Sequence, residues 1–286
     1  MLGKDFYVFW QIGRAILEGL PFYSVPESLY PPATLFFFIP LGIFPFPLAY
    51  AIWSGLNVVL YILSIRVYSK ENPIGWFFFT PTIFILMTGQ NDILFLWFST
   101  FLKSDQVWKR VLGAAFLTLK PQVAFIVLPW TLIRWIREQP KTFLYWVASC
   151  LVIHGFPLIF DSSIYSKWLN STQPYSENRM LLSPGLFGLT NFSISVWVIS
   201  IFAIAIIIFG LIKTEAISRT SQILALPLGI WYENVFLLGS VSWKWLVPIS
   251  WACFFMAYFL RTSAVLIFIP FIVMVFQIIN LRRINQ

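Results

Sequence analysis

A few polar side chains interrupt an otherwise apolar chain, and their types and spacing limit the chemistry available. Asp5 heads the aromatic stretch DFYVFWQIGRAILEGL. A carboxylate there can cap the first backbone N–H groups of a helix, or take the proton of a hydroxyl held within hydrogen-bond reach. Gly89-Gln90-Asn91-Asp92 and Leu119-Lys120-Pro121 break two long apolar segments. Gln90 and Asn91 stand at a helix start and can hydrogen-bond hydroxyls or phosphate, whereas Asp92 fits a helix cap. Pro121 suits the first position of a helix, so Lys120 would add a cation to an anion-attracting helix start. Lys244, between Trp243 and Trp245, is either an anion contact or an interfacial anchor. Glu233 interrupts an apolar run beside Asn234, and an acid at membrane depth is a functional candidate by default. His154 reads first as a satisfied buried histidine. Arg14 and Glu18, four residues apart, are expected to pair with each other, and Asp161, Glu177 and Arg179 to be solvated.

The surroundings of these residues are set by composition. Of 286 residues 59% are hydrophobic, 20% aromatic and 10% charged, with a mean hydropathy of +0.81. Soluble domains run about 45–50% apolar and about 25% charged. The runs 47–65, 193–212 and 262–281 are long enough to cross a hydrocarbon core, which takes about 20 residues. The expected fold is all-α: a polytopic transmembrane helical bundle forming one integral membrane domain over 1–286. A membrane β-barrel is excluded, because its strands would alternate with period two. Cys150 and Cys253 sit in apolar segments and read as packing residues. A single histidine excludes His-rich metal sites, and no metal or cofactor is expected. The net charge of +8 is spread over short loops. That is a pattern of topology signals rather than a nucleic-acid patch.

The basic loops give an orientation. Arg66, Lys70, Lys103, Lys109, Arg110, Arg134, Arg137, Lys141, Lys213, Arg219 and Arg261 are eleven of the nineteen cations, and all are expected on the cytoplasmic side. Parity then asks for two crossings between Lys70 and Lys103, and two between Arg110 and Arg134. Single helices there would put Lys120 near mid-membrane, which costs at least about 2.5–3.5 kcal/mol. Two pairs of short helices, with GQND and LKP as outward turns, avoid that. The remainder alternates as 142–160, an external loop over 161–190, then 193–212, 221–239, 245–260 and 263–281, or ten crossings and short membrane helices in all. Arg282-Arg283 falls outside in this scheme, against the rule. Residues 6–20 carry Phe6, Phe9, Trp10, Gly13, Ile16, Leu17 and Leu20 on one face and Tyr7, Gln11, Arg14 and Glu18 on the other. That is an amphipathic interfacial helix. The following YPPATLFFFIPLGIFPFPL is punctuated by prolines and too short to span. Residues 1–32, GQND, LKP, the 161–190 loop and the 240–244 turn are thus all expected on the external face.

The ordered set of an Asp before an aromatic amphipathic helix, G-L-P-F-Y, Y-P-P, a Pro-rich run to Trp53, then GQND and LKPQ resembles a known family. It is similar to the polyprenyl-phosphate-dependent mannosyltransferase-like family of the GT-C superfamily of membrane glycosyltransferases, well over residues 5–130 and loosely beyond. SVSWKWLVP looks like a degraded form of that family's late S-P-x-S-W-x-H element. The resemblance implies a multi-spanning, metal-independent, inverting enzyme of the cell membrane. It would move a hexose, mannose first, from a polyprenyl-phosphate donor to a hydroxyl of a glycolipid or glycan acceptor at the external face. It further implies that Asp5 is the general base within an external catalytic loop over 1–32. Such a reaction needs donor and substrate contacts, and Tyr30 of the Y-P-P element, Gln90, Asn91, Lys120 and Lys244 are the residues expected to make them. His154 and Glu233 are weaker candidates. One base suffices for inversion, because the lipid phosphate leaves as a stable anion and no second carboxylate is needed as nucleophile.

This sequence departs from the pattern in two places. The family carries a transmembrane helix before its Asp, so that helix is expected to be missing here, by truncation first and otherwise by genuine absence, with impaired activity as a result. The late element also lacks its His. A transporter or lipid flippase is the main rival, because transporters use broken helices at membrane depth; no second copy of GQND or LKP supports it. A non-catalytic scaffold would scatter Asp5, Gln90 and Lys120.

Overall fold

The computed structural model describes residues 2–172, 183, 185–227 and 230–284, and their regular structure is all helix, with no strand among them. The amphipathic segment forms α1 (Lys4–Leu17). The proline-broken segment after it becomes α2 (Pro32–Leu35), a 3-10 turn over Phe36–Phe38 and α3 (Ile39–Gly42), too short to span, as its prolines dictate. A long apolar run then gives α4 (Phe46–Tyr68). GQND separates α6 (Thr80–Thr88) from α7 (Asp92–Thr100), after the short α5 (Pro73–Trp76). LKP separates α8 (Val107–Leu117) from α9 (Pro121–Glu138). Both breaks fall where the sequence placed them. Next come α10 (Pro140–Gly155) and α11 (Ile164–Thr172). The last helices are α12 (Val196–Leu211), α13 (Glu215–Ala225), α14 (Trp243–Leu260) and α15 (Phe268–Ile284). Counting contiguous 3-10 turns, Phe46–Tyr68, Pro140–Ile159, Trp243–Leu260 and Ser263–Arg283 are long and apolar enough to cross a membrane, among the described residues. The protein is a helical membrane bundle.

Contacts divide the chain into two compact units, the first made of 1–61, 84–121 and 135–175, the second of 62–83, 122–134 and 176–286. In the first, the apolar face of α1 supplies Phe6, Phe9 and Ile12 to a core shared with Leu35, Phe38, Ala49 and Trp53. Phe9 and Phe38 stack with ring centroids 4.5 Å apart. Ile12 and Ala15 are buried where the helical wheel favoured Leu17 and Leu20, which remain exposed. The shift follows from backbone contact between α1 and α3. A Cβ on Gly13 would lie 2.0 Å from the Phe38 carbonyl oxygen, and one on Gly42 2.4 Å from the Arg14 nitrogen. Gly13→Ala is therefore expected to force α1 off its seat and destabilise the protein by about 1–3 kcal/mol. A detergent melt of Gly13→Ala against Gly55→Ala, whose Cβ would meet nothing within 4 Å, checks this. Equal melting of the two would refute it.

In the second unit α12 and α13 form a hairpin, and α13 packs against α15. Every residue from Ile217 to Ala225 is buried, including the polar run Ser218-Arg219-Thr220-Ser221-Gln222. Arg219 donates to Glu215 at 2.9 Å and lies over the Tyr68 ring, 5.0 Å from its centroid. The expected crossing over 221–239 is overturned. Eleven residues of α13 rise only about 16 Å, and the chain continues as a 3-10 turn over Trp231–Leu237.

The orientation is corrected at two further points in this unit. Lys213 and Arg282 line one cavity, so they lie at the same end, not at opposite ends. The 240–244 turn meets the Tyr68–Glu71 end: Ser242 Oγ and the Trp243 N–H donate to the Glu71 carboxylate at 2.5 and 3.0 Å. Gly239, with φ of 74°, comes so close to the Tyr68 carbonyl that a Cβ would sit 2.0 Å from it. Lys244 thus belongs to the end carrying Arg66 and Lys70, not to a face opposite them. Parity counting failed here because α13 turns back inside the protein.

Candidate functional site

The GQND turn organises one end of the first unit. Gly89 has φ of 76°, and a Cβ there would fall 2.5 Å from Phe6 Cβ. Only glycine lets α1 and the turn approach so closely. Trp53 Nε1 donates to the Gly89 carbonyl at 2.8 Å, Tyr50 Oη to the Met87 carbonyl at 2.9 Å, and the Gly3 N–H to the same carbonyl at 2.8 Å. Asp5 lies between Gly3 and Phe6, both of which touch residues 87–89. It is half-buried in the first turn of α1. The helix cap is Gly3, without a side-chain cap bond, so the capping role read for Asp5 is replaced by a place in the first turn of the helix.

Gln90, Asn91 and Asp92 are all buried. Tyr30 Oη donates to Gln90 Oε1 at 3.4 Å, so the Y-P-P element reaches the same turn. Tyr23 Oη donates to the Tyr30 carbonyl at 2.9 Å. Burial pushes the Tyr23 hydroxyl far above its ordinary pKa, with the nearby Tyr165 adding to the shift. From α11, Trp168 Nε1 donates to the Leu29 carbonyl at 3.0 Å. The loop ahead of α2 is thereby pinned beside the turn.

LKP arrives at the same place. Lys120 Nζ donates to Asp92 Oδ1 at 2.6 Å, with the lysine side chain 6% exposed and the aspartate 0%. Asp92 is therefore an ion-pair partner and not a cap; the cap position belongs to Asn91, which makes no side-chain cap bond. The sequence missed this pair, although two opposite charges breaking two neighbouring apolar segments were its signal. Thr34 Oγ1 donates to the Leu119 carbonyl at 2.6 Å. His154 Nε2 lies 2.8 Å from Thr118 Oγ1, which itself donates to the Ala115 carbonyl at 2.6 Å. His154 is half-buried behind the LKP turn, where a buried histidine was expected.

Two acceptors in this cluster stand out: Asn91 Oδ1 and Asp92 Oδ2 are buried with no hydrogen-bond partner. Buried polar atoms are nearly always partnered, so neighbouring orphans on one turn suit a ligand that brings O–H donors.

The remaining candidates lie elsewhere. Glu233, in the second unit, accepts from the Ile230 N–H and closes the start of its own 3-10 turn. Lys244 is in the second unit against the Glu71 end. Arg14 and Glu18 pair at 2.7 Å on the surface. Asp161 is held by Lys167 at 2.6 Å and by Ser163, and the Lys167 bond above all draws its carboxyl down to about 2. Glu177 and Arg179 lie outside the described residues. Among the described residues no three His, Cys, Asp or Glu side chains gather closely enough to hold a metal ion.

Residues 29–270 match the sequence model of Glycosyltransferase family 87. No curated protein and no solved structure matches the chain.

Proposed function

The chain belongs to glycosyltransferase family 87, a membrane glycosyltransferase, and from that premise we propose that the cluster of Asp5, Tyr30, Gln90, Asn91 and Lys120 is its transfer site. The observation that carries the proposal is the convergence of GQND and LKP through the Lys120–Asp92 pair at 2.6 Å, with Tyr30 bonded to Gln90 and Asp5 at the helix end packed on Gly89. The donor is a hexose, mannose first, on a polyprenyl phosphate. The acceptor is a hydroxyl of a glycolipid or glycan, and transfer takes place at the extracytoplasmic face of the cell membrane.

The reaction is a single displacement. The acceptor oxygen attacks the anomeric carbon, the bond from that carbon to the phosphate oxygen breaks, and the lipid phosphate leaves with the electron pair. Asp5 takes the hydroxyl proton as the new bond forms, a contribution of about 10²–10⁴ in rate. Asn91 Oδ1 and Asp92 Oδ2 accept from sugar hydroxyls, and Gln90, held by Tyr30, orients the sugar. Lys120 supplies positive charge for the donor phosphate, with Asp92 fixing where that charge stands. The family match to a transferase leaves the carrier reading without support.

The donor class is tested with the full chain in detergent-lipid micelles. Radiolabelled polyprenyl-phosphate mannose is offered beside labelled nucleotide mannose, with a glycolipid extract as acceptor. Transfer from the lipid donor alone is expected. Transfer from the nucleotide sugar alone would overturn the donor assignment while leaving the glycosyltransferase intact.

A further inference from the structure

One cavity is lined wholly by residues of the second unit and shares none with the proposed transfer site. Its volume is about 430 Å³, and it is lined by Phe209, Lys213, Ile217, Ile278, Leu281 and Arg282. Two cations, one from the α12–α13 turn and one from the last turn of α15, therefore converge on walls that are otherwise wholly hydrocarbon. Lys213 also sits 5.6 Å from the Phe209 ring centroid, so the aromatic face and the ammonium form one edge of the opening. Among the described residues, Glu215 pairs with Arg219 at 2.9 Å.

We infer that this cavity binds the phosphate headgroup of an anionic membrane phospholipid. Two converging positive charges fit a phosphate. The four apolar wall residues fit the glycerol-proximal ends of acyl chains, which a free anion does not have. Close in sequence to the lining residues, Ile208, Ile212, Phe276 and Ile279 are exposed large apolar side chains. The tails of a lipid seated by its head would lie against them. Basic pockets between membrane helices on the side rich in Lys and Arg are the sort that take anionic headgroups. The occupant also explains the pattern of the sequence: Lys213, Arg282 and Arg283 cluster at the end of a unit whose neighbouring helix faces are apolar.

The experiment uses the full chain in mild detergent, with thermal unfolding read at increasing mole fractions of phosphatidylglycerol, of phosphatidylcholine, or of inorganic phosphate. Phosphatidylglycerol is expected to raise the melting temperature saturably. Phosphatidylcholine and inorganic phosphate are expected to leave it unchanged. Each basic residue near an anionic surface is worth about 1 kcal/mol, which is about five-fold in affinity. Lys213→Gln should thus weaken the phosphatidylglycerol half-saturation about five-fold, and Lys213→Gln with Arg282→Gln about twenty-five-fold. Lys213→Arg, which keeps the charge, should retain it. Should the double variant fail to fold, the comparison of Arg282→Gln with Arg282→Lys decides by the same criterion. Equal shifts with phosphatidylcholine, or an unchanged half-saturation in the Gln variants, would overturn the proposal; a matching shift with inorganic phosphate would overturn the lipid in favour of a free anion. None of these readouts depends on sugar transfer, so the proposal stands or falls separately from the transfer site.

Discussion

Asp5→Asn is expected to lower hexosyl transfer by about 10²–10⁴ while leaving the fold in place. The two halves of that expectation come from different facts. The amide has nearly the shape of the carboxylate but no basicity to accept a hydroxyl proton at neutral pH. The cap of α1 is Gly3, without a side-chain bond, so no cap is lost with the charge. What the helix does lose is a negative charge in its first turn, worth about 0.3–1 kcal/mol through the helix dipole. A melt should therefore move little. The loss should fall on kcat and on kcat/KM together, the mark of an interaction made only in the transition state, and Asp5→Glu should recover part of it. Transfer at the native rate by Asp5→Asn would remove Asp5 from the chemistry. A rise in KM alone would make it a binding residue.

The local breaks of this fold were legible because backbone chemistry writes them into residue types. Gly89, with positive φ, follows the end of α6 and Pro121 opens α9, and the prolines at 31, 32 and 40 stop the apolar segment ahead of α4 from spanning. The amphipathic pattern of α1 was readable too, but its rotation was not. Ile12 and Ala15 are buried because Gly13 and Gly42 meet backbone to backbone, and a helical wheel holds no information about which residue of a partner lies opposite. Orientation failed for a related reason. Counting cations assumes each apolar run crosses the bilayer, whereas α13 is a polar helix buried by protein. A polar helix at that depth is tolerated where protein rather than lipid surrounds it. At the candidate site, the residue types in GQND and LKP were visible, and so was their order. Their union was not, because Asp92 and Lys120 are 28 residues apart, and the local reading of an acid after Asn is a cap.

That union sets the second large effect. Lys120→Met leaves the Asp92 carboxylate, 0% exposed, with its charge uncompensated, and breaking a buried pair from one side costs about 3–5 kcal/mol. Asp92→Leu should cost a similar amount by stranding the ammonium. Removing both charges together, as Lys120→Met with Asp92→Leu, should be close to neutral or stabilising, because the desolvation of two ions disappears with their attraction. Measured as unfolding free energies in mixed micelles, the three variants form a cycle whose coupling term isolates the pair. A cycle that closes additively would mean that the two side chains do not interact. Transfer assays on the same proteins then separate architecture from binding. If the pair serves only to join GQND to LKP, a stable double variant transfers sugar. If Lys120 also supplies charge to the donor phosphate, the double variant folds yet its KM for the lipid donor rises steeply. The second outcome is expected, since an apolar Met–Leu contact can rebuild the junction of the two turns but offers nothing to an anion.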